Sequence, residues 1–118
     1  MAWYCSEAEV GYAMSETRRT RLADDDGDGS AESGVVTWAI KTASALIYSI
    51  ISDNADIASD STYEPETYVS GTYPILDTQA AQLAATYLRQ RRSGTEINLG
   101  TDPTIQWCYK IRNGEASV

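Results

Sequence analysis

The chain has 118 residues, enough for one domain with a modest core, so residues 1–118 are expected to fold as a single unit. Seventeen acidic against nine basic residues leave a net charge of −8, the wrong sign for a general nucleic-acid binder, whose phosphate contacts need clustered Lys and Arg. There is no His, which removes the commonest general base and transition-metal ligand, and the two cysteines, Cys5 and Cys108, are too few for a structural zinc site.

Taken from the start, Met-Ala-Trp-Tyr-Cys-Ser has neither the basic nor the apolar region of a secretory signal. Ser6-Glu7-Ala8-Glu9 fits a capping box, with Ser6 as N-cap and Glu9 three positions on, and predicts a short helix to about Met14 bearing Val10, Ala13 and Met14. Ser15 opens a second turn carrying Arg18, Arg19, Arg21 and Leu22. Asp24-Asp25-Asp26-Gly27-Asp28-Gly29-Ser30 reads as a loop, because serial Asp and Gly compete with helical hydrogen bonding.

From about Ser33 the pattern turns helical. Val36, Ala39, Ile40, Ala43, Leu46, Ile47 and Ile50 recur at three- and four-residue steps, with Trp38, Lys41, Ser44 and Ser49 on other sides. This long central helix is expected to end near Asp53-Asn54. Its stretch Val35 to Ile51 is interrupted by Lys41, Thr42, Ser44 and Ser49, so no membrane span is expected, and the cytoplasm is the expected site of synthesis.

Residues 53–73 are polar, rich in Ser, Thr and Asp, and form an extended loop in which 66–75 permits a small β-hairpin turning at Ser70-Gly71. Pro74-Ile75-Leu76-Asp77 restarts the helix with Asp77 as N-cap, and Ala80, Leu83, Ala84, Tyr87 and Leu88 give it one apolar face to about Arg92. Asp102-Pro103 is an N-cap followed by Pro at the first helical position, and Asn113-Gly114 closes a short last helix. That helix carries Ile105, Trp107, Tyr109 and Ile111 on more than one side, so it either enters the core or docks on another chain. The fold class is therefore mainly α, a small helical bundle.

Four groups of residues invite a chemical reading. Asp24, Asp26, Asp28 and Gly29 match positions 1, 3, 5 and 6 of a calcium loop, and Glu32 would be position 9, but Ala31 and Val35 replace the usual Ile and bidentate Glu. The plainer reading is an acidic turn near the positive end of the central helix. Arg18, Arg19 and Arg21, and Arg89, Arg91 and Arg92, suit ion pairs with acidic protein surfaces better than DNA, since no aromatic residues interleave them. Glu64-Pro-Glu66 places two carboxylates in a loop, expected to be solvated with ordinary acidity. Cys5 and Cys108 are expected to be reduced thiols. No catalytic constellation, cofactor site or metal site is assigned, and the chain is expected not to be an enzyme.

The order of these elements resembles the head–tail joining (adaptor or connector) proteins of Mu-like and related tailed phages. The matching stretches are Leu22-Ala-Asp-Asp-Asp-Gly-Asp-Gly29, Ala43-Ser-Ala-Leu-Ile47 and Tyr73-Pro-Ile-Leu76, followed by Ala80 to Tyr87 and the Pro103 helix. The long polar insertion from about Asp53 to Thr72 and the weakened calcium-like loop depart from the family pattern. The resemblance implies a virion protein synthesised in a bacterial host. It implies a homo-oligomeric ring, usually a dodecamer, between the portal and a tail stopper, terminator or neck protein. DNA would pass through its channel without specific binding. The alternative is a small acidic calcium-responsive binding module.

Overall fold

In a computed structural model, the residues described are 3–6, 8–10, 33–93, 101–116 and 118. The capping box forms as expected. Ser6 N donates to Glu9 Oε1 (3.1 Å), Glu9 N donates to Ser6 Oγ (3.3 Å), and Val10 N closes the first turn on Ser6 O. The expected continuation to Met14, the turn bearing Arg18, Arg19 and Arg21, and the Asp24–Ser30 loop lie outside the described residues.

Helix α1 spans Ser33–Ile51. Val36, Ala39, Ile40, Ala43, Ile47 and Ile50 are buried, as the spacing predicts, while Leu46 is only half-buried. One assignment is corrected: Ser44 is fully buried (0 % exposed), because its Oγ accepts a hydrogen bond from Tyr4 N at 3.1 Å. A buried hydroxyl with a partner loses little by leaving water. By length and composition alone Gly34–Ile51, with a mean hydropathy of 1.5, is apolar enough to cross a membrane. In the fold its apolar stripe packs against two other helices, as a core helix's does.

The helix unwinds through Ser52 and Asp53 into α2, a single turn at Ala55–Ala58. Asn54 serves both sides of this junction. Its Oδ1 caps α2 by accepting from Asp56 N (3.0 Å), and its Nδ2 donates to Ile111 O (3.0 Å). Two 3₁₀ turns follow, Ser61–Tyr63 and Pro65–Thr67, the first capped by Asp60 through Thr62 N.

The hairpin permitted by the sequence does not form; the described residues contain no strand. Its first arm is taken up by the turn that opens with Pro65, and its second is absorbed by a helix that starts at Pro74. What remains is a tight turn over Val69–Thr72, closed by Thr72 N to Val69 O (3.1 Å). Gly71 sits in it at φ +85°, where a side chain would be strained.

Helix α3 spans Pro74–Ser93. Asp77 is not its N-cap: its own N–H already bonds back to Tyr73 O (3.1 Å), so the helix begins one turn earlier than expected. Pro74 opens it because proline suits the first helical position. Ala80, Leu83, Ala84 and Leu88 are buried together with Ala81 and Ala85, and Tyr87 is half-buried. Trp38, near the start of α1, packs edge-on against Tyr87, near the end of α3, with ring centroids 5.9 Å apart. The two long helices therefore run antiparallel.

Helix α4 spans Pro103–Arg112, and Asp102 caps it as expected, its Oδ1 accepting from Thr104 N (3.0 Å) and Ile105 N (3.1 Å). Gly114, at φ +75°, ends it. This helix enters the core. Ile105, Cys108 and Ile111 are buried, Trp107 and Tyr109 half-buried, and Thr104 Oγ1 donates to Gln79 Oε1 on α3 (2.9 Å). The result is a small helical bundle in which α1, α3 and α4 share one apolar cluster.

Candidate functional site

Two features outside the core stand out. The first is the anchoring of the polar connection between α1 and α3. Tyr68, buried though it lies in a polar stretch, sends its hydroxyl to Asp77 Oδ1 and accepts Tyr73 N (2.9 Å). Asp77 Oδ2 accepts Gly71 N (2.8 Å) and Ser70 Oγ (3.3 Å). Asp77 is itself buried, so these donors replace the water its carboxylate has lost.

Aromatic stacking completes the anchor. Tyr4 meets Tyr68 edge-on (5.1 Å, 80°), and its hydroxyl donates to Tyr63 O. Tyr63 and Tyr73 stack face to face at 4.4 Å and 2°. Burial raises the pKa of Tyr4 and Tyr68 well above the phenol range and pushes Tyr63 up to about 12. These phenols are neutral near pH 7. They hold the loop in place and offer no nucleophile or general base.

The second feature is a cleft of about 300 Å³ between α3 and the start of α4. Arg89 and Asp102 both line it, with Gln82, Thr86 and Thr104. The Arg89 guanidinium is half-buried, and its hydrogen bond to a described residue goes to Thr86 Oγ1 at 3.3 Å. Asp102 accepts from the α4 N–H groups through Oδ1, and its charge is among the causes that raise the Tyr87 and Cys108 values.

The remaining candidates are dispersed. Arg91 is exposed on α3 and the Arg92 side chain lies outside the described residues. Glu64 and Glu66 are exposed on either side of Pro65, as expected of solvated carboxylates. Cys5 and Cys108 are both buried free thiols, and burial pushes each from 9.0 up to about 12. The calcium-like set Asp24, Asp26, Asp28, Gly29 and Glu32 lies outside the described residues. Among the described residues no three metal-ligating side chains converge.

No family model, curated protein or solved structure matches this chain.

The tyrosine–aspartate anchor was not visible in the sequence. Tyr4 and Tyr68 sit in segments without periodicity, and only their size hinted at burial. Asp77 carried a signal, as a helix-start residue, but its role is to hold the preceding loop.

Proposed function

We propose that this chain is a structural adaptor subunit of the head–tail connector of a tailed bacteriophage, and not an enzyme. Copies would form a ring between the portal and the tail, extend the DNA channel and dock the next neck or tail component. The observation that carries the reading is where the family-like stretches fall on the bundle. Ala43-Ser-Ala-Leu-Ile47 lies on α1, with Ala43 and Ile47 buried. Tyr73-Pro-Ile-Leu76 opens α3, and the Pro103 helix closes the bundle across both. The order matches the resemblance in which a long Ala-rich helix, a Tyr-Pro-x-Leu entry, a second Ala-rich helix and a short closing helix succeed one another.

Physical chemistry is consistent with that role. Among the described residues, the ionisable side chains with clearly raised values are phenols and thiols kept neutral by burial, which suits packing. A net charge of −8 lets a channel wall repel phosphates, so that DNA slides without sticking.

The test is incubation of the purified chain with portal rings, followed by electron microscopy. The reading expects an extra layer on the tail-facing side of the portal. Bare portals at saturating chain concentration would remove it.

A further inference from the structure

Two segments far apart in sequence hold each other in place. In the first, Tyr4 N donates to Ser44 Oγ on α1 (3.1 Å), and the Tyr4 hydroxyl donates to Tyr63 O. The Tyr4 ring packs edge-on with Tyr68, and both Tyr4 and Val10 are 0 % exposed. This short segment is therefore seated in the core and not merely laid over it. In the second, Ser70 Oγ lies 3.5 Å from Glu9 Oε1 and 3.3 Å from Asp77 Oδ2. Burial, then the Glu9 and Asp77 carboxylates, push the Cys5 thiol up, which places that thiol beside the same acids.

The bonds inside the connection are local and few. Tyr63 N bonds Asp60 O, Glu64 N bonds Ser61 O, Tyr68 N bonds Pro65 O and Thr72 N bonds Val69 O. Single turns of this kind are not stable alone, so their order comes from Tyr4 on one side and Asp77 on the other. Helices α1, α3 and α4 differ, since each carries its own buried apolar face. Lifting Tyr4 leaves behind a serine hydroxyl and a carbonyl, both of which water can satisfy.

We propose that segment 4–10 is a strap on the 60–73 connection, the two opening and closing as one unit while α1, α3 and α4 stay folded. A partner that engages either segment then changes the order of the other, so the pair relays binding between them. The device does not depend on the adaptor reading.

The test is native-state hydrogen exchange of the full chain in denaturant below the unfolding transition. Amides of segments 4–10 and 60–73 are expected to exchange through one shared opening, with a smaller denaturant slope than those of α3 and α4. Tyr4→Phe keeps the ring and loses the bond to Tyr63 O; Ser44→Ala removes the acceptor of Tyr4 N. Each should speed exchange in both segments by one common factor, about three- to tenfold for a single hydrogen bond. Alkylation of Cys5 should quicken by that same factor. Leu88→Ala, in the core, should speed exchange in α3 and α4 and leave both segments at wild-type rates.

Faster exchange confined to segment 4–10 in either variant, with 60–73 unchanged, overturns the proposal. So does a single opening shared by both segments and the helices, or the lack of protection in either segment of the wild type.

Discussion

Asn54 shows how one side chain can hold two elements. Its carbonyl caps α2 and its amide reaches Ile111 O on α4. Asn54→Asp keeps an acceptor for Asp56 N but turns the other oxygen, now charged, towards a carbonyl. The expected loss is about 1–3 kcal/mol, read by chemical denaturation, and larger than for Asn54→Ser, which caps without the repulsion. Asp77→Ala is expected to be more damaging to the connection than to the helix. It strips acceptors from Gly71 N, Ser70 and Tyr68 at once, costing about 2–3 kcal/mol, and amide exchange should quicken at Gly71 before it does in α3. The buried thiols give a pH signature. Each ionises near 9.0 when unfolded and only at about 12 when folded, so the unfolded chain binds fewer protons across that window. Stability is therefore fully held below about pH 9 and falls as pH rises towards 12, by up to about 1.4 kcal/mol per pH unit for each thiol. A thiol reagent at pH 8 should modify neither Cys5 nor Cys108 until denaturant is added.

At the scale of elements, the turn before α3 makes the clearest prediction. A side chain at Gly71 would meet nothing within 4 Å, so Gly71→Ala tests the left-handed backbone alone. The expected cost is about 1–2 kcal/mol with no change in the packed helices. Leu83→Ala, by contrast, opens a cavity in the core and should cost about 2–5 kcal/mol. Which parts of the fold could be read from sequence follows from the same distinction. The three main helices were legible because each carries a repeating apolar face, and two starts, Ser6 of the N-terminal turn and Asp102 of α4, carry capping side chains whose chemistry is local. The connection was not, because its shape depends on partners far along the chain. Tyr4 reaches Tyr63, and Tyr68 reaches Asp77. Alternating residues around Ser70-Gly71 suggested a hairpin, and nothing nearby revealed that Pro74 already belongs to a helix. Ser44 looked like a surface residue for a similar reason: its partner, Tyr4 N, is forty residues away. The Arg89 cleft was legible only as a cluster of arginines, since its walls come from α3 and α4 together.

For the whole molecule, the account joins a small helical core to a polar connection anchored by Tyr68 and Asp77. The most direct measurement is electron microscopy of the neck of particles assembled from the genome that encodes this chain, with the chain labelled by a C-terminal tag. The account predicts a ring of tagged density between portal and tail. Tag absent from that position in complete particles would contradict it.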